Sequence, residues 1–338
     1  MPFPTPKTSL APVEDILMES FSAQSIIAAL DMKLFDQLSH GPMSAAELAK
    51  VMGFKAKPVE ALLDLLTHRK ILEANGTGYT NSPMAEEYLL TTSPLYQGRA
   101  MAKQHAHNQL LQHDFTTLLK GEPARRQKTD DSWSKADTMD AMLQNAIKGQ
   151  LQGAVNHLKE LPEFPSFRTM ADIGGSHGHY SMELMEHNPH LTSTIMDLPD
   201  VSEAASLRCK ALGYAGRITC QPFDIRTDTL PEAAHDLVFI SHMLYGCTDM
   251  LEAVFANIHQ SLKPGGCFVS HHFAPEGGAS KKYQTNIELI TRLMGYDSHF
   301  ITRTDLEGPL SRCGFSNMTH TFTGVDGQTL LLVARKDA

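Results

Sequence analysis

The residues best suited to chemistry lie in one run, Asp172-Ile-Gly-Gly-Ser-His-Gly178, and in the aspartate that follows it, Asp197. Glycines at 174, 175 and 178 allow a tight turn and expose backbone that a side chain would otherwise cover. A dinucleotide turn reads G-x-G-x-x-G and seats a pyrophosphate on the helix that follows. This run lacks that register. Asp172, two residues before the first glycine, repels a phosphate but suits an ammonium. Asp197 comes 23 residues after Gly174, where a carboxylate accepts both hydroxyls of a ribose. A nucleoside with an amino-acid tail and no phosphate meets these conditions, which points to S-adenosyl-L-methionine as cofactor. Taken alone, the run also fits a purely architectural turn.

A strand must carry Asp172 and a helix must follow Gly178. Met170–Ile173 reads as a short apolar strand and Tyr180–Glu186 as the helix. Asn188-Pro189 stops that helix, and Leu191–Leu198 is a second strand. The pattern then repeats: helix Val201–Leu212, strand Arg217–Phe223, strand Asp236–Ser241, helix Asp249–Leu262, loop Lys263-Pro-Gly-Gly266 and strand Cys267–Phe273. Helices Lys281–Met294 and Arg303–Cys313 and strands Ser316–Phe322 and Thr329–Ala334 complete it. Such alternation predicts an α/β fold with a parallel sheet covered on both faces.

The front half is different. Val13–Leu38 carries Ile16, Leu17, Phe21, Ile26, Ile27, Leu30, Leu34, Phe35 and Leu38 at helical spacing. A stripe that broad is explained by burial against another subunit or within one domain. Ser44-Ala-Ala-Glu47 is a capping box opening helix Ala45–Met52. Helix Pro58–His68 and a hairpin turning at Asn75–Gly78 follow, a winged-helix order. DNA binding is opposed by charge, since residues 1–100 hold 8 Lys+Arg against 11 Asp+Glu. Ala85–Gly153 reads as helical, with a polar break at 121–135 that holds Trp133. His105 and His107 face different sides of one helix and lack zinc spacing, so no metal is expected. His113 is a pocket-lining candidate.

Net charge is −9 with no basic cluster, which opposes nucleic-acid and anionic-membrane surfaces. Five cysteines without C-x-x-C predict reduced thiols and a cytoplasmic setting. No apolar run reaches the length of a membrane span. The division expected is a dimerisation domain over 1–100, a helical region over 101–160 contributing to the acceptor pocket, and a cofactor domain over 161–338.

Several marks occur together: Asp-x-Gly-Gly-x-x-Gly at 172–178, Asp197-Leu198-Pro199, Asp224-Ile225, Lys263-Pro-Gly-Gly266, Arg303-Thr304 with Glu307, and Cys313-Gly-Phe315. The chain therefore resembles the small-molecule O-methyltransferases of the plant caffeate and bacterial polyketide type over nearly its whole length. The resemblance implies a Rossmann-like methyltransferase sheet, mostly parallel with an antiparallel C-terminal strand. It also implies homodimerisation through the N-terminal domain and a small, aromatic or conjugated acceptor. By similarity, Gly174, Gly175 and Gly178 lie under the methionine tail and ribose. Asp197 takes the ribose hydroxyls, Leu198 packs beside the adenine, and Asp224 and Ile225 frame it. Asn286 and Met294 fall on the helix the family uses to close the acceptor pocket.

The chain departs from the family at the chemistry. The family reads Lys-Trp-x-Leu-His-Asp-Trp-x-Asp, its histidine being the general base. This chain reads Ser241-His-Met-Leu-Tyr-Gly-Cys-Thr-Asp249. Tyr245 replaces the base, and Ser241 replaces the lysine and is counted with the cofactor residues. A phenol is a poor base near neutral pH but orients an acceptor well as a donor. A ring-carbon methyltransferase of bacteriochlorophyll pigments also has tyrosine here, which keeps C-methylation open beside O-methylation. His242, three residues away, is a second candidate base, as is one of His271 and His272. Glu307 matches the family's acidic helper. An acidic phenol or enol would arrive partly ionised and need no strong base. Two rivals remain: an S-adenosylmethionine enzyme of this fold without methyl transfer, and a non-catalytic regulator.

Overall fold

A computed structural model describes residues 3–76, 78–121 and 131–337. Most of the polar break read at 121–135 lies outside the described residues. The chain divides into two compact units, residues 1–105 and 106–338. From residue 106 onward, the helices read as a separate region over 101–160 thus belong to the second unit.

In the first unit the long helix is two, Ala11–Asp31 and Leu34–Leu38, because Lys33 takes a left-handed φ of +55°. The break also divides the apolar stripe. Leu30, Leu34, Phe35 and Leu38 pack in a core with Leu48, Leu63, Leu66 and Leu72. Ile16, Leu17 and Phe21 are 67%, 60% and 69% exposed. Ser44 caps helix Ala45–Met52, and the Glu47 carboxylate accepts the Ser44 N–H at 2.8 Å. Strands β1 (Leu72–Asn75) and β2 (Gly78–Asn81) are antiparallel. Asn75 pairs with Gly78, so both residues belong to the strands and the turn is tighter than the four residues read from sequence. Tyr79 Oη donates to Asp64 at 2.6 Å and ties the hairpin to helix Ala56–His68.

The second unit holds β3 (Thr169–Ile173), β4 (Thr192–Asp197), β5 (Ile218–Pro222), β6 (His235–Ser241), β7 (Leu262–Phe273), β8 (Phe315–Thr323) and β9 (Thr329–Lys336). They form one sheet in the order β5-β4-β3-β6-β7-β9-β8, parallel except at β9, which runs antiparallel to both neighbours. The loop expected at Lys263–Gly266 lies inside β7, whose pairing with β6 slips there. Lys263 Nζ explains its extended course, donating to Asp236 Oδ1 and Thr169 Oγ1, both at 3.0 Å.

Alternating residues face two cores. Met170, Leu237, Phe239, Val269 and Val333 pack toward helices Gln150–Leu158 and His179–His187. Ala171, Val238, Ile240, Phe268 and Leu332 pack toward helices Leu251–Ser261 and Arg303–Arg312. The chain winds outward from β3 to β5 and then returns to β6 on the other side. That reversal opens a crevice at the carboxyl ends of β3 and β6, the standard ligand position of open α/β sheets.

Candidate active site

Gly174 leaves β3 with a φ of +71°, and its N–H donates to Met196 O at 2.7 Å. A Cβ there would lie 3.0 Å from Met243 Cγ, and one on Gly175 would lie 2.7 Å from Asp172 Cγ. Gly178 begins helix His179–His187. At all three positions the space a Cβ would take is already filled, by Met243, by Asp172 and, at Gly178, by Cys209 and Ile195, so the turn is built for glycine.

Asp172 lies beneath this turn, 2% exposed, and accepts from Ser181 Oγ at 2.7 Å. Burial pushes its carboxyl up to about 7, with the Asp197 charge adding to the rise. Asp197 ends β4. Its Oδ2 accepts the Ser176 N–H at 3.0 Å and its Oδ1 the Leu198 N–H at 2.8 Å. Burial pushes it up to about 6. Two neighbouring carboxyl groups, both held above their ordinary range, suit a ligand bringing an ammonium and hydroxyl donors. The residues thus fit S-adenosylmethionine.

Leu198 is half-buried at the start of helix Pro199–Ala211. Phe223 N–H donates to Asp197 O at 2.8 Å, which brings the Asp224-Ile225 corner beside the aspartate. The Asp224 carboxylate is gripped by Arg226, Nε to Oδ1 at 2.8 Å and Nη2 to Oδ2 at 2.7 Å, and Ile225 points into the core.

Beyond the end of β6 stand four rings in a closed circuit. His242 packs on Phe273 with centroids 4.7 Å apart, Phe273 on His299 at 5.0 Å, His299 on Tyr245 at 5.3 Å, and Tyr245 on His242 at 6.2 Å. Tyr245 Oη accepts the Phe273 N–H at 2.6 Å and lies 3.1 Å from His242 Nδ1. Burial holds the Tyr245 phenol well above its ordinary pKa, the wrong direction for a base. His271 and His272 point to opposite faces and are saturated. His271 bonds Ser241 Oγ at 3.0 Å and Thr323 Oγ1 at 2.8 Å. His272 bonds Ser270 Oγ at 3.1 Å and Ile301 O at 3.2 Å. Neither has a free nitrogen for an acceptor. Tyr245→Phe removes the acceptor of the Phe273 N–H. It is expected to cost about 1–3 kcal/mol, read as a lower denaturation midpoint.

Other expected residues lie apart from these rings. Glu307 pairs with Arg303 on its own helix at 3.6 Å. His113 is exposed at its helix end, and Asn286 is exposed with Nδ2 donating to Lys282 O at 2.8 Å. Met294 packs with Leu111, Leu118 and Leu293. No spacing in the sequence links His299 and Phe273 to Tyr245, so the ring circuit was not legible there.

Comparison with known proteins gives the family. An O-methyltransferase domain model matches residues 121–316 and an O-methyltransferase dimerisation domain model residues 15–91. The tetracenomycin polyketide synthesis 8-O-methyl transferase TcmO of Streptomyces glaucescens is 26% identical over 340 residues, covering 98% of this chain and 99% of the relative. The 3-hydroxy-5-methyl-1-naphthoate 3-O-methyltransferase of Streptomyces sahachiroi is 28% identical over 266 residues, 75% and 74% of the two chains. The crystal structure of human N-acetylserotonin methyltransferase in complex with S-adenosylmethionine shares the fold, with a TM-score of 0.75 at 21% identity over 99% of this chain and 100% of that one. With an O-methyltransferase domain matched over 121–316 and a dimerisation domain matched ahead of it, the chain belongs to the S-adenosylmethionine-dependent O-methyltransferase family.

Proposed function

We propose that the chain methylates a hydroxyl of a small fused-ring aromatic acceptor. The observation that carries this reading is the pairing of the glycine turn and Asp197 with the ring circuit beyond the end of β6. TcmO and the naphthoate enzyme, whose names describe such acceptors, support it. S-adenosylmethionine supplies an electrophilic methyl on a sulfonium, which a lone pair of the acceptor displaces. The protein's own part is alignment. Gly174, Gly175 and Gly178 seat the cofactor, Asp172 faces its ammonium and Asp197 its ribose, and Leu198, Asp224, Ile225 and Ser241 border it. Effective molarity from such alignment supplies several kcal/mol.

The test is incubation of purified protein with S-adenosylmethionine and a panel of hydroxynaphthoates and hydroxyanthraquinones. One S-adenosylhomocysteine should appear for each methyl ether. Turnover of acceptor without S-adenosylhomocysteine would instead establish a non-methylating enzyme of this fold. Methyl found on carbon would establish ring methylation.

The exposed Ile16, Leu17 and Phe21 support homodimerisation through the matched dimerisation domain. Each buried apolar side chain is worth about 1.5–3 kcal/mol. The double variant Leu17→Glu, Phe21→Glu should therefore sediment as a monomer at micromolar concentration where the parent is a dimer. An unchanged sedimentation coefficient would place the interface elsewhere.

A further inference from the structure

We propose that His242 holds the acceptor oxygen with an Nε2–H donor, and that this donor, with no base beside it, selects acceptors already ionised, namely acidic phenols and enols. This rests on the methyl-transfer reading above and names its substrate class.

The proton assignment starts at Phe273. Its backbone N–H can only donate, and it donates to Tyr245 Oη at 2.6 Å. The phenol's own proton then goes to the other neighbour of that oxygen, His242 Nδ1 at 3.1 Å. Nδ1 must carry a lone pair there, and a neutral imidazole carries its single proton on the remaining nitrogen. The opposite tautomer would aim two donors at Tyr245 Oη and leave the phenol proton stranded. His242 Nε2 is thus an N–H, and it is buried without a partner. A buried donor lacking an acceptor is costly, and in native proteins it calls for a functional account. Tyr245 acts through His242 and is a positioning residue.

The place is right for an acceptor. His242 follows the last residue of β6, at the switch of the sheet. The next residue, Met243, covers Gly174. His242 sits at a left-handed φ of +55°, its N–H held by His271 O at 2.7 Å. Strain of this kind collects at functional sites. Nε2 is buried, so acceptor entry requires a neighbouring side chain to move. Met243, half-buried and unbranched, is suited to that.

No group facing His242 is a ready base. Burial first, then the charges of His271, His299, His272 and Lys148, hold the His242 imidazole well below its ordinary pKa. His299 is pushed down to about 4 by burial. A donor without a base beside it stabilises an oxyanion. An ionised oxygen forms the O–CH3 bond with a lone pair while sulfur keeps the electrons of the S–CH3 bond. Phenolate and sulfonium become ether and thioether, and no protein group changes protonation.

The experiment uses the full chain saturated with S-adenosylhomocysteine, whose binding is titrated first. The probes are 4-nitrophenol and 2-hydroxy-1,4-naphthoquinone, whose absorbance reports ionisation. The bound probe should ionise about one pH unit or more below the free probe, a preference for the anion of tenfold or more. His242→Gln keeps a donor near the Nε2 position but cannot act as a base, and should keep the shift. His242→Leu should abolish it, with cofactor binding intact. Binding of the neutral form overturns the proposal. So does loss of the shift in His242→Gln equal to that in His242→Leu, or no binding of either probe at millimolar concentration. A chain that binds cofactor but fails here remains a methyltransferase with another acceptor. A chain that binds no cofactor fails at the earlier reading.

Discussion

Replacing Asp197 by alanine is expected to weaken both S-adenosylmethionine and S-adenosylhomocysteine by about a hundredfold or more, since each hydrogen bond to a charged group is worth about 1.5–3 kcal/mol. The loss has two parts. The ribose hydroxyls lose their acceptor, and the glycine turn loses its tie to β4, because the Ser176 and Leu198 N–H groups both donate to this carboxylate. Isothermal titration measures it. The pH dependence has a definite sign. The carboxyl of the free protein sits at about 6, above its ordinary 3.8. It is ionised above that pH and protonated below it, and hydroxyl donors favour the ionised form. Affinity therefore falls as pH drops through about 6. Asp197→Asn, neutral at every pH, should lose affinity and remove the step near 6, leaving the fall through about 7 that Asp172 contributes as it protonates. Wild-type affinity in Asp197→Ala would remove the aspartate from the ribose site.

Gly175→Ala is the second large effect, and it arises from space. The added Cβ would lie 2.7 Å from Asp172 Cγ and 2.9 Å from its Oδ2. Asp172 cannot withdraw, being buried and bonded to Ser181. Overpacking of this kind costs about 1–3 kcal/mol. Relief through the turn also displaces the Ser176 N–H from Asp197. The expected result is a lower denaturation midpoint together with a loss of cofactor affinity of about tenfold to a hundredfold, at 1.4 kcal/mol per factor of ten. Gly216→Ala, with open space around its Cβ, is the control and should change neither. Equal behaviour of the two variants would mean that the turn yields freely.

The strand, glycine turn and helix around Asp172 were legible because they are local. Strand, glycine turn, helix and Asp197 span 29 residues from Thr169, and turn geometry over that distance follows from residue type. The sheet was legible for a similar reason, since strand–helix alternation leaves few topologies. Element ends were less so. Lys33 breaks a helix that apolar spacing would continue, and Lys263 keeps a Pro-Gly-Gly segment in a strand through bonds to β3 and β6 that no local pattern announces. Glu307 shows the limit of transfer by motif. It matches the family at its position, yet its carboxylate turns to Arg303.

Residue order alone determined an α/β sheet with a glycine turn after its first strand, and set Tyr245 beyond β6 in chain order. Only the tertiary structure decided what surrounds Tyr245. Phe273 and His299 come from other segments, and long-range packing brings their rings to His242 and Tyr245. The backbone amide of Phe273 then sets the direction of the Tyr245 proton. Hydrogen bonds and burial set proton positions and pKa values through space. The sequence names the groups, and the fold decides whether they take a proton or offer one.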